Sequence, residues 1–310
     1  MKKFMKGCAV TALVLIVLGV VLAVAAGSIR GRIAIEDTVR AVTGGRVKLD
    51  LHLNPTSGDD GYYNIEDSDV FSKEYDIVEG NVERYSLGNN ISKLDVEIGG
   101  CNLYVQESQD DEFYLEAENM RKMQSYVKEG TLHIKALRTG EIWDETKKCE
   151  IILYVPANYS FQEAEFEVGA GYIDIGTLTA GEVGLEAGAG SIEADLIQAQ
   201  EVDASVGAGA ISVYDMNVQD VSGEVGVGYM YLEGEIGRRA DVECSMGSLE
   251  LYVRGAQTDF NYQVECGMGN LEIGEESYSG LAKETSINHQ AAKNMDLECA
   301  MGSISVTFDR

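Results

Sequence analysis

A nine-position motif returns along the second half of the chain at a fixed interval, and this constrains the fold more than any other feature. It reads acidic, apolar, small, any, Gly, any, apolar, any, apolar. It begins at Glu167, Glu186, Ser205, Glu224 and Glu243, with the same step between each start and the next. It returns after longer steps at Glu265 and Glu298, and an earlier copy begins at Glu97 with Cys101 in the place of glycine. The glycines align as Gly169/Gly171, Gly188/Gly190, Gly207/Gly209 and Gly226/Gly228, then Gly247, Gly267/Gly269 and Gly302. A fixed period of this length is the mark of a repeat architecture.

Within each copy the apolar residues alternate, as in Ala164-Phe166-Val168, Val183-Leu185-Ala187 and Val202-Ala204-Val206 before the glycines. Ile173/Ile175, Ile192/Ala194 and Ile211/Val213 follow them. Period two puts these side chains on one face of a strand. Each copy therefore holds two short strands joined at the glycines, where the backbone must turn sharply. One copy cannot bury its apolar face alone, but stacked copies share a core. The predicted fold is all-β, a parallel β-solenoid of about 19-residue Gly-x-Gly repeats. An antiparallel meander or sandwich explains the alternation but not the constant interval. Strand-like runs at Leu94–Val105, Phe113–Ala117, Thr131–Ala136 and Glu150–Val155 are read as an atypical N-terminal cap on the stack. Residues 274–293 are read as an insertion, with a short helix around His289 to Asn294.

The N-terminus reads differently. Lys2, Lys3 and Lys6 precede a run from Cys8 to Ile29 that carries no charge. A run of that length crosses a hydrocarbon core of roughly 30 Å as a helix, and the leading positive charge places the N-terminus in the cytoplasm. The organisation predicted is a tail and transmembrane anchor over 1–29, a spacer over 30–85 and a repeat domain over 86–310 outside the cytoplasm. A cleaved signal peptide ending near Ala23-Val24-Ala25 is the rival for the first segment; both export the rest.

At this point the chain resembles the bacterial β-strand-repeat "putative adhesin" family, domain of unknown function 4097. The resemblance rests on the Gly-x-Gly copies Val168–Ile175, Ala187–Ala194 and Val206–Val213. It rests also on the Leu94–Val105 opening, Leu153-Tyr154-Val155-Pro156 and the closing Met301-Gly302-Ser303-Ile304, and it covers roughly residues 86–310. It implies a solenoid-like β domain at the cell envelope, often behind a membrane segment, with no catalytic residues.

Charge narrows the function. Acidic residues outnumber basic ones 52 to 24, a net charge of −28, which repels phosphate backbones and argues against nucleic acid as a partner. Histidines are His52, His133 and His289, far apart in sequence, and none is placed beside a nucleophile as acyl-transfer chemistry requires; the chain is read as not an enzyme. Cys244, Cys266 and Cys299 share one inward motif position and read as reduced core thiols, with a disulfide as the alternative. Cys101 and Cys149 are a further candidate pair.

The outward positions repeat as well. One column reads Glu97, Glu167, Glu186, Ser205, Glu224, Glu243, Glu265, Glu298, and its neighbour Asp95, Glu165, Gly184, Asp203, Ser222, Asp241, Gln263, Asp296. Carboxylates stacked about 5 Å apart in water repel by roughly 0.8 kcal/mol. A solvated face that keeps the domain soluble is one reading. The functional one is weak, cumulative Ca²⁺ or Mg²⁺ binding along Glu167, Glu186, Asp203, Glu224, Asp241, Glu243 and Glu265, because hard cations take oxygen ligands; no other cofactor is implied. The function expected is a non-catalytic cell-envelope surface protein, an adhesin or interaction module anchored in the membrane that meets an envelope polymer or surface protein. The alternative is a sensory ectodomain for envelope stress acting through a membrane partner.

Overall fold

A computed structural model describes residues 71–72, 74–137, 148–279 and 283–310. The described chain is built of strands in one mixed sheet. Its first strands are β1 (Val78–Gly88), β2 (Lys93–Ile98), β3 (Asn102–Glu107), β4 (Phe113–Lys128), β5 (Thr131–Leu137), β6 (Glu150–Val155), β7 (Ser160–Val168) and β8 (Tyr172–Ala187). The alternation read from the sequence is the alternation of burial: Leu94, Val96 and Ile98 of β2 are buried, and Asp95 and Glu97 between them are not.

Seven of these strands close on themselves. Going round, β2 lies parallel to β7, β7 to β8, β8 to β3 and β3 to β6. Then β6 lies antiparallel to β4, β4 antiparallel to β5, and β5 parallel to β2 again. Two long strands, β4 and β8, make closure possible because each gives successive stretches to two strands of the ring. β8 pairs β3 through Tyr172–Ile175 and β7 through its later half. β4 pairs β6 through Tyr114–Glu118 and β5 through Lys122–Lys128, and between the two stretches Asn119 takes a left-handed φ of 56°. Asparagine tolerates that conformation better than most residues, so the strand can change direction there. β1 lies antiparallel on the outside of β4. It begins inside the stretch read as spacer.

Outside the barrel the Gly-x-Gly copies run on as parallel strands. These are β9 (Ser191–Gln198), β10 (Glu201–Val206), β11 (Ala210–Val225), β12 (Tyr229–Cys244) and β13 (Ser248–Val253). Along them each residue faces its counterpart one copy later: Glu186 faces Ser205, Ser205 faces Glu224 and Glu224 faces Glu243. A 3₁₀ turn, Gln257–Asp259, leads to β14 (Phe260–Cys266), β15 (Asn270–Ile273), β16 (Glu276–Ser279), β17 (Lys283–Ile287), β18 (Lys293–Cys299) and β19 (Ser303–Phe308). Here spatial order leaves chain order. β18 lies between β12 and β14, and β19 between β13 and β15, so the last copy inserts between two earlier ones. The insertion foreseen over 274–293 becomes two antiparallel edge strands, β16 on β15 and β17 on β14.

The fold expectation is therefore corrected. The chain is all-β, but its N-terminal half is a closed seven-strand barrel with outer strands added, not a parallel β-solenoid. The reason is β4: residues 113–128 carry no glycine corner, run as one long strand and pair antiparallel first with β6 and then with β5, which joins the two ends of the ring. The transmembrane helix, and with it the single-pass membrane location, is not carried forward either. Among the described residues no helix is long and apolar enough to cross a membrane, and residues 1–29 lie outside the described residues. The short helix expected around His289 is instead a loop entering β18; the His289 backbone N–H donates to the Asn261 side-chain oxygen at 3.0 Å.

At the glycine corners a side chain would run into the backbone of the neighbouring copy. A Cβ on Gly209 would lie 2.0 Å from the Gly190 carbonyl oxygen, and one on Gly171 would lie 2.0 Å from that of Cys101. No side chain fits there, which is why the repeat keeps glycine at this position.

Candidate functional site

Parallel pairing turns the outward residues of each copy into columns. The first runs Lys135, Glu97, Glu167, Glu186, Ser205, Glu224, Glu243, Glu298, Glu265. The second runs His133, Asp95, Glu165, Gly184, Asp203, Ser222, Asp241, Asp296, Gln263. Of the expected cation ligands, Glu167 and Glu186 are direct neighbours, as are Glu224 and Glu243. Ser205 separates the two pairs, Glu298 stands between Glu243 and Glu265, and Asp203 has Gly184 and Ser222 on either side. Among the described residues no group of three or more His, Cys, Asp and Glu side chains is disposed to hold a metal ion.

The columns carry their own partners at particular points. Lys135 donates to Glu97 at 2.7 Å, and His133 Nδ1 lies 2.6 Å from Asp95. Arg239 bridges Asp241 and Asp296, 2.7 Å from each, so one expected ligand, Asp241, already has a cation. Lys93 pairs with Glu163 beside the second column. The sequence reading missed these pairs. Their signal was the alternation of His133 and Lys135 in the run Thr131–Ala136, which places them on the outward face.

Between these pairs lies a more purely acidic stretch. An open cavity of about 450 Å³ is lined along the two columns by Asp95, Glu165, Glu167, Glu186, Asp203 and Glu224. Desolvation by the neighbouring strands, with the charges of Glu186 and Glu97, pushes the Glu167 carboxyl above its usual pKa. Desolvation raises Glu165 as well, with Glu163 and Asp95 adding to it. Glu243 is raised by desolvation and then by Glu298 and Glu224. Each shift records a carboxylate held where its charge is unfavourable. A cation laid along the cavity would relieve that cost.

The cysteines sort into two groups. Cys101 and Cys149 stand at the entries of β3 and β6, which pair from Asn102 and Glu150 onward, and they form a disulfide with Cα atoms 4.9 Å apart. Cys244, Cys299 and Cys266 are free, buried and neighbours in that spatial order on β12, β18 and β14. Burial pushes the Cys299 thiol up to about 12, so it stays protonated and inert as a nucleophile at neutral pH.

Fold and face together define a repeat-built β domain with a long acidic surface. The chain belongs to the Toastrack DUF4097 family, whose model matches residues 91–286. This is the family that the Gly-x-Gly copies pointed to. Among solved structures it is similar to a putative adhesin from Bacteroides fragilis, at 16% identity and a TM-score of 0.42, covering 76% of this chain and 98% of that one. It is similar also to a putative adhesin from Parabacteroides merdae, at 10% identity and a TM-score of 0.43, covering 74% and 98%. A putative lipid binding protein from Parabacteroides distasonis is similar at 15% identity and a TM-score of 0.38, covering 74% and 98%. Likeness at these scores carries no argument about function. No curated protein matches the chain.

Proposed function

We propose that the chain is a non-catalytic, adhesin-like interaction module whose acidic face receives cations. The observation that carries this reading is the in-register column of carboxylates on the open cavity, with Glu165 and Glu167 held above their usual pKa by desolvation and by their acidic neighbours. A face of this kind costs stability when bare and is relieved by positive charge. The occupants it suits are hydrated divalent ions in weak, multiple sites, or a polycationic surface that neutralises several carboxylates together. Divalent ions so bound would in turn bridge the face to an anionic polymer. Membership of the Toastrack DUF4097 family is consistent with this role.

The test is thermal melting of the full chain in EDTA and then in rising Ca²⁺ or Mg²⁺. Ligand binding to the folded state alone raises stability by RT ln(1 + [L]/Kd), so ions at ten times Kd give about 1.4 kcal/mol per site. A concentration-dependent rise that Glu167→Gln with Glu186→Gln reduces is expected. An unchanged melting temperature at millimolar ion sinks the divalent-ion reading.

A further inference from the structure

From the second copy onward, the motif position just before the second glycine is exposed or part-exposed at each corner. In spatial order it is filled by Ala170, Ala189, Ala208, Val227, Met246, Met301 and Met268. Each of these residues donates its backbone N–H to the corner before it: Val227 to Gly207, Met246 to Gly226, Met301 to Ser245 and Met268 to Ala300. The three methionines lie far apart in sequence, yet they stand in the corners after three consecutive strands because β18 inserts between β12 and β14. Met268 is 65% exposed and Met301 37% exposed, and Met246 is partly exposed.

Their spacing is fixed from beneath. A Cβ on Gly302 would lie 2.4 Å from the Gly247 carbonyl oxygen, and one on Gly269 would lie 2.5 Å from that of Gly302. The corners therefore stack in contact, with strands about 4.8 Å apart, and the three side chains leave from adjacent points. Just before each methionine in the chain, Glu243, Glu298 and Glu265 form the matching column of carboxylates, on a chain of net charge −28. Methionine has three rotatable bonds and a polarisable sulfur, so thioethers on neighbouring strands can turn toward one ion.

We propose that Met246, Met301 and Met268 form a binding site for a soft, singly charged metal ion of the Cu(I) or Ag(I) class. Thioethers select soft ions over Ca²⁺ or Mg²⁺, and the adjacent carboxylates raise the local cation concentration. This is a different chemistry from the oxygen-lined face above and stands independently of it. An apolar docking ridge would be served as well by leucine. The conversion of the position from alanine and valine to methionine occurs on the three strands that topology makes neighbours.

The test is competition for Cu(I) between the full chain and a weak chromophoric Cu(I) chelator, under argon with ascorbate. The wild type is expected to withdraw about one equivalent. The triple variant M246L/M268L/M301L, which keeps shape and apolarity at exposed positions, is expected to withdraw it at least about tenfold less tightly. Circular dichroism checks that the variant keeps its fold. With ¹³C-methyl methionine labelling, one equivalent of Ag(I) should move three methyl resonances and leave those of the buried methionines. Uptake that survives in the triple variant, or that is lost instead in Cys266→Ser, assigns the ion to the thiols and overturns the proposal. Uptake by neither protein overturns it as well and leaves the ridge as an apolar surface.

Discussion

The corner glycines set up a comparison in which one substitution, made at two places, should have opposite signs. Gly209→Ala puts a methyl group 2.0 Å from the Gly190 carbonyl oxygen, with Gly190 N and Ala189 C at 3.0 and 3.1 Å. All of these atoms are backbone, so no rotamer change relieves the clash and the two corners must separate. Overpacking of this kind costs about 1 to 3 kcal/mol. Separation also strains two corner hydrogen bonds, Gly209 N–H to Gly188 O and Ala210 N–H to Gly190 O, each 3.0 Å and each worth about 1 kcal/mol. The expected loss is about 3 to 5 kcal/mol. Gly184 belongs to the same repeat but lies mid-strand on the outward face, where its Cβ would meet only Glu165 Cγ at 3.6 Å and the Glu165 Cα at 4.0 Å. Gly184→Ala removes the entropic penalty of glycine in a strand and should stabilise by about 0.5 to 1 kcal/mol. Urea denaturation of both variants, followed by circular dichroism and compared by midpoint at equal slope, reads the difference. A Gly209→Ala midpoint within error of wild type, or equal losses at both positions, would refute the reasoning that contact between corners is what demands glycine.

Other consequences follow from the charges and the disulfide. Glu165, Glu167 and Glu243 have raised pKa values in the folded state, so the folded chain binds more protons than the unfolded one as pH falls. Their contribution should therefore rise on acidification from neutral, through the raised values to about the unfolded value of 4.3, and be lost again as pH rises. Asp220, lowered by its bond to Arg238, and Glu163, lowered by Lys93, act in the opposite sense; chemical denaturation across pH 4 to 8 measures the balance, and Glu243→Gln should flatten the acid-side rise. At neutral pH Glu243→Gln should also stabilise by about 0.5 kcal/mol, small because the residue is largely exposed and its repulsions are screened, and a clear loss in the same assay would mean that its charge is used structurally. Reduction of Cys101–Cys149, which closes a loop of sequence separation 48, should cost about 4 kcal/mol by the chain-entropy relation; melting with and without reductant tests this, and an unchanged midpoint excludes the cross-link as a stabiliser of the barrel.

Much of the site was legible because strand geometry has so short a period. Alternation alone assigned Glu167 and Glu186 outward and Val168 and Ala187 inward. The constant interval then made like positions neighbours, so the acidic columns could be written down before any coordinates. What alternation cannot carry is the identity of a neighbour once the interval breaks. The copies at Glu265 and Glu298 follow Glu243 in that order along the chain, yet β18 goes between β12 and β14. Glu298, not Glu265, is therefore the partner of Glu243. That choice follows from where edge strands β16 and β17 must close the sheet, which is a property of the assembled sheet and not of any copy.

The barrel was hidden for a similar reason. Phe113–Ala117 was visible as a strand, but its continuation through Asn119 to Lys128, with β6 and then β5 antiparallel along it, depends on which edges remain unpaired once β2, β3 and β8 are in place. The disulfide could be named only as a candidate, since pairing needs Cα atoms within reach and that distance exists only after β3 and β6 are neighbours. By itself the sequence determined the class of secondary structure, the inward and outward faces, the glycine corners and the acidic character of the surface, because these depend on local period and residue chemistry. The tertiary structure alone decided the closure of the barrel, the order of the last strands and the gathering of Met246, Met301 and Met268, because each of these is a contact between segments whose separation no periodicity encodes.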